Sequence, residues 1–149
     1  MKRFVVILFA MLFALSLSIS ACADDNKIIP HSDSYRTVKP IYKIVGESDA
    51  SVGGVKRWNT KISFAGNKKP DEKTLETQML HAAYTQMAKN SASAIWVFAY
   101  SQGDNYDSAF TLASCMLAPY GDWSKAGEKT TLEKYKANFK ISPNYYLKK

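Results

Sequence analysis

Apolar residues recur along this chain in three patterns, and each predicts a different element. The first is a nearly unbroken run, "FVVILFAMLFALSL", covering the 14 residues from Phe4 to Leu17 behind the basic head "MKR". A helix that crosses a bilayer needs about 20 such residues. A basic head, a short apolar stretch and then small residues instead build an export signal. The second pattern is strict alternation. In "KRWNTKISF", Trp58, Thr60, Ile62 and Phe64 fall on one face and Arg57, Asn59, Lys61 and Ser63 on the other; in "KYKANFKIS", Tyr135, Ala137, Phe139 and Ile141 point inward. Such alternation predicts half-buried strands of an antiparallel sheet. The third pattern has helical period: Leu75, Met79, Ala83 and Met87 recur every four residues, with Leu80 and Tyr84 widening the stripe. That predicts one amphipathic helix with a single face on a sheet. Pro70 suits its first turn, Asp71 and Glu72 favour the positive end of its dipole, and it ends near "KNSAS" with Asn90 as a capping residue.

Between these elements, "KPIYKIVGE" reads as a first strand and "SDASVGGV" as a turn. "AIWVFAYS" is apolar on both faces and reads as a central strand. "QGDN" then turns the chain into "YDSAFTLASCML" as a hairpin partner, and "APYGDWSKAGE" is a loop punctuated by proline and glycine. The order is ββα, ββ, loop, β. It predicts an α+β fold: an antiparallel sheet of about five strands with one amphipathic helix packed on one face. The expected divisions are a signal peptide (1–21), a lipid-anchored flexible tether (22–38), a single α+β domain (39–142) and a basic, aromatic C-terminal tail (143–149). A domain of this size buries roughly two-thirds of its unfolded surface, so it can fold without a disulfide or a metal.

Two processing readings meet at "LSISACADDN". "ACA" (Ala21 to Ala23) fits the small-x-small rule of secretory cleavage, which would release a chain starting at Asp24. "ISAC" (Ile19 to Cys22) resembles the bacterial lipobox, in which the cysteine sulfur carries a diacylglycerol (palmitate is a typical acyl group) and becomes the first residue. The cysteine follows the apolar run at once, and the polar stretch "ADDNKIIPHSDSYRTV" suits a tether, so the lipoprotein reading is preferred. Each buried methylene contributes about 0.8 kcal/mol, so two or three acyl chains hold stably where one holds marginally. Ala23 lacks the aspartate that marks inner-membrane retention in sorted lipoproteins. The resemblance therefore implies an outer-membrane protein facing the periplasm; the alternative is a soluble periplasmic or secreted chain.

The formal charge is +7. Loss of residues 1–21 removes Lys2 and Arg3, leaving 18 basic residues against 13 acidic, or +5. The surplus gathers late, with seven lysines from Lys125 onward against Glu128 and Glu133. A basic end of this kind can rest on anionic lipid headgroups or serve solubility alone. Nucleic acid is not expected as a partner of an exported protein.

The helix, "AIWVFAYS", "DSAFTLASCMLAPYGDWSKAGE" and "KYKANFKIS" together resemble a family of small uncharacterised bacterial and phage-associated domains, over about residues 40 to 142. The resemblance implies the α+β fold and carries no activity.

Candidate chemistry is sparse. His31 lies in the tether. His81 lies on the helix, with no Asp, Glu or Cys at a metal-ligand offset, so a partly exposed helix histidine is the expectation. Asp104 and Asp107 flank Asn105 without the spacing of a calcium loop and read as a solvated hairpin turn. Cys115, in "FTLASCML", reads as a small buried hydrophobe. Neither a "GxSxG" elbow nor a phosphate-binding glycine loop occurs. No catalytic residue, metal or cofactor is expected. Most aromatics fall on inward strand faces; Trp123, in a loop, and Tyr145 and Tyr146, in the tail, are the exceptions. They join Lys134, Lys136 and Lys140 as the candidate binding surface, with Cys22 as the lipid attachment site. The expected role is a membrane-tethered binding or accessory module of the cell envelope, with an envelope protein or glycan as possible partner. The alternatives are an exported hydrolase assembled around His81 and a phage- or plasmid-linked surface factor.

Overall fold

A computed structural model describes Tyr35, residues 37–66 and residues 69–147. The expected signal peptide, Cys22, His31 and nearly all of the tether lie outside these residues. Five strands form one sheet whose spatial order follows the chain: β1 (Tyr42–Asp49), β2 (Arg57–Phe64), β3 (Ala94–Ser101), β4 (Ala113–Pro119) and β5 (Tyr135–Ile141). Helix α1 (Glu72–Asn90) joins β2 to β3, and a short helix α2 (Pro143–Leu147) follows β5. The fold is α+β, with one principal helix on one face of an open sheet.

The sheet departs from the expected antiparallel pairing at one joint. β2 and β3 run parallel, from Arg57 beside Ala94 to Phe64 beside Ser101, while the other three pairs are antiparallel. The cause is α1 itself. Its 19 residues carry the chain back along the sheet, so β3 starts at the same end as β2, which is the condition for a parallel crossover. Strand alternation is blind to this, because period two is the same in both pairings.

Helix α1 begins two residues after the proline expected in its first turn. Asp71 is its N-cap: the carboxylate accepts from Thr74 N–H at 2.9 Å and from the Thr74 hydroxyl at 2.8 Å, satisfying one of the helix's free donors. Those bonds hold the Asp71 carboxyl below its ordinary pKa. Pro70 stands just outside. At the other end Ser91, rather than Asn90, takes the left-handed turn at φ 50° and donates its N–H to Met87 O. Leu75, Met79, Ala83 and Met87 are sealed against the sheet, as the four-residue period predicts. Two glutamines share that interface. Gln78 is buried and clasps the approach to β1, donating to Lys39 O at 3.0 Å and accepting from Ile41 N–H at 3.1 Å. Tyr35 stacks on Tyr84 at 5.1 Å, so the chain already touches α1 before residue 39.

Facing α1, the sheet contributes Ile62, Ile95, Val97, Cys115 and Leu117, each at most 1% exposed. Among the described residues, this core draws only on positions 42 to 145. The expected C-terminal tail is part of it. Residues 143–147 form α2, whose Tyr145 hydroxyl donates to Pro70 O at 2.7 Å while Lys69 Nζ donates to Tyr145 O. Tyr146 donates to Glu72 Oε1 at 2.8 Å. A second difference lies before β4: residues 102–112 form a loop, and the strand starts only at Ala113. The Asp104 carboxylate closes the neck of that loop by accepting from Ser101 N–H at 2.9 Å and from the Thr111 hydroxyl.

Candidate binding face

α1 covers one face of the sheet, and the alternate residues of the same strands form the other. The register fixes which residues lie side by side there. One row runs Ser48, Asn59, Trp96, Met116, Asn138; the next runs Gly46, Lys61, Phe98, Ser114, Lys140. Lys43 pairs with Ser63 at one end of the face, and Lys136 with Ala118 at the other. The middle of this open face is aromatic. Trp96 and Phe98 stack at 5.4 Å and 23°, Phe110 stacks beyond Phe98 at 6.4 Å, and Trp123 leans on Trp96 at 5.9 Å. Trp96 remains 37% exposed, and Phe98, Phe110, Met116 and Trp123 are each half-buried.

Cations flank this ladder on both sides. Lys43, Arg57 and Lys61 come from β1 and β2, Lys136 and Lys140 from β5, and no open-face strand position carries an acid. Two loops fold over the ends of the ladder. At one end, the 3₁₀ turn Trp123–Gly127 is capped by Asp122, which accepts from Ser124 N–H at 2.8 Å. Arg57 Nε donates to Trp123 O at 3.3 Å, with its guanidinium 6.0 Å from the Trp123 ring centroid, a cation–π distance. Gly121 turns the chain into this loop at φ 75°, where Asn138 Nδ2 donates to its carbonyl at 2.7 Å. A side chain at Gly121 would be strained and would crowd Asn138. At the other end, Tyr106 stands edge-on to Tyr100 at 5.4 Å and donates to Ser63 Oγ at 3.2 Å. There Asp107 pairs with Lys61 at 3.3 Å, an exposed contact.

The structure divides the residues singled out by the sequence. Trp123, Lys136 and Lys140 meet on the open face. Lys134 closes the 3₁₀ turn Leu132–Lys134, with its carbonyl accepting from Tyr120 N–H at 2.7 Å. Tyr145 and Tyr146 lie on the other side of the sheet, at the start of α1. Cys22 falls outside the described residues. Trp96, Phe98, Arg57 and Lys61 were not singled out, yet a signal for them existed. β3 is apolar on both faces, and one helix can cover only one.

Away from the open face lie His81 and Cys115. His81 Nδ1 lies 2.9 Å from the Tyr42 hydroxyl; burial lowers the histidine's pKa and pushes the Tyr42 phenol up to about 12. Neither an acid nor a serine hydroxyl is among the hydrogen-bond partners of His81 in the described residues. Cys115 is fully buried, and its thiol is pushed up to about 12 by that burial and, secondarily, by Glu76. Asp104 and Asp107 hold a loop as described, the first by capping it and the second by a surface pair. Among the described residues, no group of three or more His, Cys, Asp or Glu side chains is placed to hold a metal ion, and no helix is long and apolar enough to cross a membrane.

Comparison with known proteins finds no matching family model, no matching curated protein and no matching solved structure.

Proposed function

We propose that this protein is a cell-envelope lipoprotein acting as a binding module, with Cys22 acylated as its membrane anchor and the open face of its sheet as the working surface. The observation that carries the binding role is the aromatic ladder bordered by five cations, with no acid at the open-face strand positions. A sheet face without a function gains nothing from keeping Trp96, Phe98 and Met116 in contact with water. The lipobox-like "ISAC" and the apolar run before it support the anchor. Anchoring confines the domain close to a bilayer and raises its effective concentration for any membrane-associated partner. The mechanism is localisation plus recognition, with no bond made or broken.

Mass spectrometry of the mature N-terminus, in membrane and extracted fractions, tests the anchor. Acylated Cys22 in the membrane fraction, lost in Cys22→Ser, is the expected result. An unmodified amine on Asp24 outside the membrane fraction would sink it.

A further inference from the structure

The next question is what the open face meets, and this inference rests on the reading of an envelope-tethered binding module. Three observations narrow the partner. The first is charge: Lys43, Arg57, Lys61, Lys136 and Lys140 border the ladder, and only Lys61 has an acidic partner among the ion pairs described on this face. A second copy of the chain in face-to-face contact would set these cations against their own kind, so the partner is anionic. The second is the state of the rings. Trp96 and Phe98 stack on each other, and Phe110 and Trp123 close the two ends. The ring faces are thus largely used up by one another. Single-stranded bases bind by stacking on free ring faces, and flat sugar rings make the same demand, so what the ladder offers outward is a hydrophobic ridge of ring edges. The third is shape. The ridge and its cations lie side by side on one face of a five-stranded sheet, which matches an extended partner.

We propose that this face docks on the surface of an anionic bilayer, with Trp96 at interfacial depth and the flanking lysines and Arg57 against phosphate headgroups. Aromatic side chains with an apolar body favour that depth, and basic residues beside them add attraction to anionic lipid that weakens with salt. In the anchored protein the docked orientation turns the α1 layer away from the membrane.

The test uses the chain from Asp24 to Lys149, which keeps every residue of the core and has no acyl group. It is sedimented with vesicles of phosphatidylcholine alone and of phosphatidylcholine mixed with phosphatidylglycerol. Docking predicts binding to the mixed vesicles only, declining as salt is raised, with a blue shift of tryptophan emission. The triple variant Lys61→Gln, Lys136→Gln, Lys140→Gln is expected to weaken binding by about 100-fold, at about 5-fold per cation. Trp96→Ser should weaken it several-fold. Neutralising two α1 lysines, Lys73→Gln with Lys89→Gln, should leave it nearly unchanged, and circular dichroism confirms that each variant is folded. Absence of binding to the mixed vesicles overturns the proposal, and so does an equal loss from the open-face and α1 variants. Retention by an acidic polysaccharide without vesicle binding also overturns it, making the face a glycan site. The anchor is read separately at Cys22: acylation without vesicle binding removes the docking alone, while vesicle binding by a chain unmodified at Cys22 supports the docking and removes the anchor.

Discussion

On the α1 side of β3, Ile95, Val97 and Ala99 are sealed completely from water, while one residue along in each case Trp96, Phe98 and Tyr100 turn to the opposite side. The same strands therefore serve two environments. On the covered side, aliphatic residues meet a helix whose own stripe matches them, and the buried Gln78 has hydrogen bonds to Lys39 and Ile41. On the open side the apolar content is aromatic, it is only partly covered by two loops, and cations border it. The α1 side also holds the acids of β1: Glu47 pairs with Lys89 at 3.2 Å, and Asp49 accepts from Ser51 N–H at 2.8 Å. If the open face is the binding surface proposed for it, stability and recognition fall to alternate residues of the same strands, and each can be altered with little damage to the other.

That separation can be broken deliberately. The largest effect is expected on the covered side: Leu75→Ala or Met79→Ala should cost about 2–5 kcal/mol, as for other buried large-to-small changes, read from the denaturant midpoint. A loss below about 1 kcal/mol at both positions would mean that α1 is not the seal of the core. Next comes the loop over the open face. Asp104→Ala strips an acceptor from Ser101 N–H and the Thr111 hydroxyl and should cost about 1–3 kcal/mol, whereas Asp107→Ala, which breaks an exposed pair, should cost almost nothing. Equal effects would show that the neck of the loop is not where it is held. Smaller again, Trp96→Ala should lower stability by about 1 kcal/mol, the worth of its ring contacts. If it destabilises as much as Met79→Ala, the open face is a second core and the two-sided reading fails.

The smallest effect concerns His81. Burial lowers its pKa in the folded chain, so its neutral form is favoured by folding. As pH falls through about 6.5, the unfolded chain takes up the proton first and stability declines; above that pH the contribution is fully present. Urea midpoints at about pH 7.5 and pH 5.5 should therefore differ, and His81→Asn should flatten part of the difference. A variant with the same pH profile as the parent would place the titration elsewhere.

The sequence exposed those parts of the fold whose local pattern and tertiary environment agree. β2 and β5 alternate because each has one wet face, and α1 keeps its four-residue stripe because a single sheet lies beneath it. The parallel joint was hidden because direction is decided by the length of the connection and not by the strand. Residues 102–112 looked like strand because Phe110 and Leu112 are apolar, yet Asp104 and Asn105 bind nearby backbone N–H groups, and such bonds compete with a ladder. The open face was half legible. Lysines on β5 and Trp123 stood out as residues without an apolar environment of their own, while Trp96 and Phe98 were absorbed into an assumed core. Tyr145 and Tyr146 were assigned to a tail because hydroxyl partners 74 and 75 residues away leave no trace in local sequence.

β5 and α2 follow every other element in chain order, and this has a bearing on how folding is completed. Tyr135, Phe139 and Ile141 pack on the core, and Tyr145 fastens onto the residues that start α1. Until β5 and α2 have docked, the β4 edge is therefore exposed and the start of α1 untied, whatever has formed upstream. A chain in which β5 has not yet docked presents β4 as an open strand edge of the kind that invites pairing with other chains. The stage before that final docking is the one at which a chaperone is of most use.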